Sequence, residues 1–426
     1  MIGAVPDASA GRAPDTVITP DTGPDAAPDR APRGVMWFAT TVFILSTGAF
    51  VTVLLDGSSP VVLGLWIVAY LVAGAVLLDG ALRERRTVTV PLALVAFLAL
   101  AAASVLWSAA PEVTLRRSIG LGGTVLIGLV LAQRLRPVAI FDAMRRAVLV
   151  IAVVSLLFYL SGDARALDEV HDTLRGVVAT KNTLGRVMGL GLLACAATAF
   201  IDRGRLRLAI GSAVPMVVAL ALTGSTGGAI IAVLVLLMMA AAMLWRSAVG
   251  RHALLGTAAT VSGVFVLVAQ ATSAEAIVGL VGRDLTLTGR TRIWALSAEA
   301  FAQQPLLGYG YGTFWHEAGP TAGRRIVALL YWSVPNAHNG LLDVALDVGV
   351  VGVVLAVLII GGLLIRGIGD ARAGRHEVAV LRLSIALLVV FSNLVESSFL
   401  QENVFLTIAF VAALAAREPP APDATG

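Results

Sequence analysis

The side chains that could do chemistry in this sequence gather between Thr288 and Gly349. Arg290 and Arg292 open the segment TGRTRIWALSAEAF. A guanidinium is a planar fork that grips two oxygens of a phosphate. Next to the free N–H groups of a helix start, such forks could hold a phosphate, or they could anchor the segment to lipid headgroups. His338 stands in Asn336-Ala337-His338-Asn339. A neutral imidazole is the side chain best suited to take a proton near pH 7, and a helix N-terminus disfavours its charged form. Asn339, Asp343 and Asp347 follow at a spacing of four, which puts them on one helix face in a supporting position. Carboxylates inside an apolar run are costly, so they serve either a function or a polar seam. Gly308, Gly310 and Gly312 alternate with Tyr309 and Tyr311, but the dinucleotide spacing fails at Thr313; a tight turn at the membrane surface fits better.

A second group lies at 162–183, with His171, Arg175, Lys181 and Asn182, and Arg186 just beyond. Arg175 and Lys181 are cations beside a membrane surface and candidates for a phosphate. Asp168, Glu169, His171 and Asp172 match no metal-site spacing and read as a solvated loop. No metal and no cofactor is expected. His316 is a weak candidate; His252 and His376 fall away from the cluster.

The elements that must position these residues follow from composition. Of 426 residues, 58% are hydrophobic and only 14% charged, against about 45–50% and 25% in a soluble domain. The excess falls in separated runs near 35–55, 60–78, 88–107, 118–132, 147–161, 184–201, 208–223, 227–244, 253–271, 339–365, 379–394 and 403–416. Runs of that length span a bilayer as helices. The expected fold is an all-α integral membrane protein of about 12 transmembrane helices, with a polytopic domain over 34–416. Residues 1–33, rich in Pro, Asp, Ala and Gly, read as a disordered cytoplasmic tail rather than a signal peptide, and 417–426 as a second cytoplasmic tail. The one cysteine, Cys195, rules out an internal disulfide. With the N-terminus inside, roughly two thirds of the 31 basic residues fall on the inner side, as the charge rule requires. Both termini then face the cytoplasm. The pI near 9.7 is explained by this topology, so no nucleic-acid partner is expected. The outer basic residues oppose the rule and collect in 162–183 and in 272–338, the one long external loop, which carries signals for short helices.

In combination these motifs resemble the O-antigen ligase and polysaccharide polymerase family. RGVVATKNTLGRV at 175–187, GRTRIWALSAEAF followed by PLLGYGYGTF, and AHNGLLDVALDVGVVG carry the likeness; WSAAPEVTLRRS at 107–118 and Glu396 are weaker echoes. The resemblance implies a metal-independent glycosyltransferase of GT-C architecture. Such an enzyme moves a glycan from a polyprenyl diphosphate to a hydroxyl of a glycan, lipid or protein acceptor on the outer face of the cell membrane. It implies Arg290 and Arg175, with Lys181 and Arg292 beside them, for the diphosphate, and His338 near the acceptor. Where many ligases have Ser-Arg-Gly, this chain has Ser225-Thr226-Gly227, which leans toward the polymerase-like branch. The competing class is a multi-span transporter or flippase for an anionic or lipid-linked substrate. It would place polar residues at mid-membrane and show half-to-half repeats; here they gather at one surface.

Overall fold

The computed structural model describes residues 32–51, 60–85, 88–168, 172–244, 290–316, 322–330, 334–394 and 396–417. The chain forms α1 (Arg33–Leu45), α2 (Pro60–Leu82), α3 (Leu92–Ala103), α4 (Pro111–Arg134), α5 (Pro137–Leu160), α6 (Lys181–Ile201), α7 (Leu206–Thr223), α8 (Thr226–Leu244), α9 (Arg290–Gln303), α10 (Ala322–Leu330), α11 (Gly340–Arg372), α12 (His376–Ser392) and α13 (Phe405–Ala415). Every expected apolar run contains a described helix except 253–271, which lies outside the described residues, as do 52–55 of the first run, Thr288, His171, most of both tails and the first part of the long loop. Among the described residues, α2, α4, α5, α6, α11 and α7 with its preceding turn are long and apolar enough to cross a membrane. The chain is a multi-pass membrane protein.

Helix starts explain where the apolar runs misjudge the boundaries. Pro111 and Pro137 occupy the first turns of α4 and α5, where the missing N–H costs nothing. Both helices therefore begin several residues before their apolar stretch, with charged side chains in the early turns.

α13 sits at the centre, with every residue from Phe405 to Ala415 buried. A helix that is apolar all round belongs inside. It packs on α4 and α12; a Cβ on Gly128 of α4 would come within 2.6 Å of Val411. α6 packs against α5, α7 and α8. Small residues let backbones approach in lipid, where no hydrophobic force drives helices together. At Gly228 of α8 a Cβ would lie 2.6 Å from the backbone of Gly185 in α6.

A smaller core lies at one end, where Ile293, Ala300, Phe314, Ile326, Leu330, Ala337 and Leu346 pack together. It joins α9 and α10 to the start of α11. That start is separated from the rest of α11 by a break at Val348 (φ −133°, ψ 16°) and Gly349 (φ 69°, ψ −169°). The break frees the carbonyls of Leu346 and Asp347, and the glycine-rich loop fills them. Tyr309 N–H donates to Leu346 O (2.9 Å) and Gly310 N–H to Asp347 O (2.8 Å), while Val350 N–H donates to Pro305 O (2.8 Å). Gly308 (φ +63°) and Gly349 (φ +69°) occupy the left-handed region, and a Cβ on either would run into the opposing backbone at 2.6 or 2.1 Å. The turn expected at these glycines is there, and what it does is clamp a broken helix.

Candidate active site

His338 sits in the turn that enters α11, with φ +52°. A non-glycine residue in the left-handed region is strained and persists only when its surroundings fix it. They do. Ala337 N–H donates to both carboxylate oxygens of Asp343 (3.0 and 3.2 Å), and Trp294 Nε1 of α9 donates to Ala337 O (2.8 Å). His338 N–H donates to Asn336 Oδ1 (2.9 Å), and Gly340 N–H to Asn393 O (2.9 Å). Trp315 Nε1 also donates to Asp343 (2.7 Å).

The imidazole Nδ1 lies 3.3 Å from Glu396 Oε2, and Arg186 Nη1 lies 3.5 Å from the same oxygen. Burial alone would raise the Glu396 carboxyl; the hydrogen bond from His338 and the charges of Arg186, His338 and Arg290 outweigh it and hold the carboxyl below its ordinary value. Glu396 is therefore an anion at neutral pH. Accepting from Nδ1–H, it leaves Nε2 as the free acceptor of the ring.

The polar residues expected to share one face divide their work. Asn339 is the N-cap of α11, its Oδ1 accepting from Leu342 N–H (3.1 Å); it caps the helix rather than joining Asp343 and Asp347 along it. Asp343 is buried and holds the histidine turn. Asp347 accepts from the backbone N–H groups of Gly312 and Phe314, tying the glycine loop to the same stub of helix.

The basic residues also divide. Arg290, at the start of α9, acts on Glu396 through its charge. Arg292 donates to Leu329 O (3.2 Å), bracing α9 against α10. Arg175 donates through Nε to Arg165 O (2.9 Å), ten residues earlier in the chain. Lys181 begins α6, five residues before Arg186. The sequence favours Arg175 and Lys181 over Arg186, yet Arg186 is the one in contact with the histidine's partner.

A second pair stands nearby: Arg117 of α4 lies 3.4 Å from Glu402. Burial pushes the Glu402 carboxyl up, against the charge of Arg117. Two clefts meet at Asn336 and Gln401. One, of about 300 Å³, is lined by Thr183, Arg186, Glu396 and Ser397; the other, of about 780 Å³, by Arg117, Trp315, Asp343 and Asp347. Asn336, which lines both, stands two residues before His338. Glu396 and Arg117 appear in the sequence only as faint echoes, because their partners lie 58 and 285 residues away in the chain.

Residues 211–357 match the family model described as O-antigen ligase. That segment, about a third of the chain, is similar to the O-antigen ligases. The matched segment carries Arg290, Arg292, His338, Asn339, Asp343 and Asp347, while Arg117, Arg175, Lys181, Arg186 and Glu396 fall outside it. The chain is also similar to the exopolysaccharide production protein ExoQ of Rhizobium meliloti (strain 1021), at 28% identity over 275 residues, covering 62% of this chain and 62% of that protein. The likeness to this relative thus spans less than two thirds of its length.

Proposed function

We propose that the protein is a membrane glycosyltransferase of the polysaccharide polymerase or ligase type, built on about twelve spans in a GT-C arrangement, with its site on the outer face of the cell membrane. The donor is a glycan on a polyprenyl diphosphate and the acceptor a hydroxyl. The observation that carries this reading is the contact of His338 with Glu396 and of Glu396 with Arg186, inside the field of Arg290.

In the proposed reaction His338 Nε2 takes the acceptor proton while the hydroxyl oxygen attacks the anomeric carbon. The bond from that carbon to the diphosphate oxygen breaks, and its electron pair leaves on the diphosphate. In-line attack inverts the centre. Arg290 and Arg186 hold the developing charge without a metal, as guanidinium groups can; Lys181, Arg175 and Arg292 stand further out and steer the anion. Arg186 supplies the cation that Thr226 lacks: Gly185, its neighbour in α6, packs against Ser225 at 2.5 Å for an added Cβ. Glu396 fixes the tautomer of His338, and Asn339, Asp343 and Asp347 fix the turn that carries it.

Purified protein in lipid, given a polyprenyl-diphosphate-linked glycan and an acceptor, should release polyprenyl diphosphate in step with glycan growth. Release should slow by roughly 10²–10⁴-fold in His338→Ala. Movement of the intact donor across the bilayer without release would favour the transporter reading and overturn this one.

A further inference from the structure

The opposite end of the bundle holds a second charged concavity, and nothing in the proposed reaction uses it. It lies at the far end of α6, about 25 Å along the helix from Arg186 at 1.5 Å per residue. Its volume is about 1240 Å³. Four connections converge on it: the start of α1, the α4–α5 corner, the α6–α7 corner and the first turn of α12. Six arginines (Arg33, Arg134, Arg136, Arg146, Arg203 and Arg205) face three acids, Asp142, Asp202 and Glu377.

The acids are committed. Asp142 is shared by Arg145 (2.6 Å) and Arg146 (2.7 Å), Asp202 pairs with Arg205 (2.9 Å), and Glu377 with Arg136 (2.8 Å). Arg134 pairs with Asp79 and Glu84 outside the cleft, so among the described residues the positive excess sits on Arg33 and Arg203. Directly beside it the wall is apolar: Met36, Trp37 and Leu208 line the same cleft, with Trp37 72% and Leu208 49% exposed.

We infer that this cleft binds the phosphate headgroup of an anionic membrane phospholipid, with an acyl chain along Trp37 and Leu208. A soluble anion needs only the cations. A cation pair next to exposed tryptophan and leucine matches a molecule that is charged at one end and apolar at the other; basic pockets between membrane helices hold lipid headgroups in this way, and tryptophan favours the interfacial level. The inner-side excess of arginine explains why each connection is basic. It does not explain why four connections aim at one concavity. The bound lipid would join α1, α5, α7 and α12 at their ends. This inference is independent of the proposed reaction.

The full chain, purified and placed in phosphatidylcholine nanodiscs doped with phosphatidylglycerol, tests it by native mass spectrometry of retained lipid and by thermal unfolding. Phosphatidylglycerol should be retained over phosphatidylcholine and should raise Tm, and inorganic phosphate at the same concentration should do neither. The double variant Arg33→Gln/Arg203→Gln should bind phosphatidylglycerol roughly 30-fold more weakly, about fivefold per arginine, and Arg203→Gln alone about fivefold more weakly. Arg372→Gln removes a charge at the same end but outside the cleft and should retain lipid like the wild type. Equal retention by the double variant, equal weakening by Arg372→Gln, or equal stabilisation by inorganic phosphate would each overturn the inference.

Discussion

Replacing Glu396 by glutamine separates orientation of the histidine from the histidine itself. Glutamine keeps the shape but loses the charge, and its amide can present N–H where His338 Nδ1–H now donates. The ring would then turn or switch tautomer, and Nε2 would no longer be the free acceptor. A positioned proton acceptor contributes about 10²–10⁴-fold to rate, which bounds the loss. The contact is 3.3 Å long, and His338 is 27% exposed. It is therefore weaker than the fully buried carboxylate–histidine contact of a serine protease, where the same change costs about 10⁴-fold. We expect a fall in kcat of about 10²-fold with little change in donor KM, because Arg290 is untouched. Steady-state release of polyprenyl diphosphate by purified protein measures kcat and donor KM separately. A Glu396→Gln protein with wild-type kcat, or one whose loss appears in donor KM instead, would refute the assignment of Glu396 as the residue that positions His338.

Five further substitutions and two fusions complete the test. His338→Ala should lower kcat by roughly 10²–10⁴-fold while donor binding, read by retention on the protein, survives. Arg290→Lys keeps the charge and loses the fork, so kcat/KM should drop about tenfold or more; Arg292→Lys and Arg175→Lys, whose guanidiniums are engaged by backbone carbonyls, should cost less in the same assay. Asp343→Ala strands the N–H groups of Ala337 and Trp315, each worth about 1–3 kcal/mol when unsatisfied, and should lower Tm and membrane yield together. A reporter fused after Arg207 should read cytoplasmic and one inserted in 272–337 external; the reverse pattern would remove the site from the outer face.

Much of the membrane domain was legible because its signal is local. Apolar runs fix span existence, and each described run became a helix. What escaped were features whose cause lies elsewhere in the chain. The charged first half of α5, with Asp142 and Arg145 buried together, looks like a loop to a hydropathy window, since a pair neutralised inside the bundle still counts as two charges. The break at Gly349 sits within DVGVVGVV, where nothing but a glycine distinguishes it, and only the glycine loop docking against it makes the interruption stable. The sequence spacing puts Asn339 on one helix face with Asp343 and Asp347, whereas the structure makes it the N-cap; an asparagine before an apolar run is also a helix start signal, and the four-residue spacing hid it. His338 stood out because the sequence has only five histidines, and Arg290 because the charge rule put it on the expected outer side, where basic residues are disfavoured. Glu396 was only a faint echo, because one carboxylate in a turn looks like any other until the fold sets it beside an imidazole.

The break in α11 also has a mechanical meaning. A continuous 33-residue helix would carry every change in its tilt straight to the tip beside His338. Spanning helices tilt to match bilayer thickness, and that thickness varies with lipid composition. Here the glycine loop holds both sides of the break: Tyr309 and Gly310 donate to Leu346 and Asp347 of the stub, and Val350 of the spanning length donates to Pro305. The loop, and not the helix axis alone, therefore sets how far a lean of the spanning length moves the histidine turn.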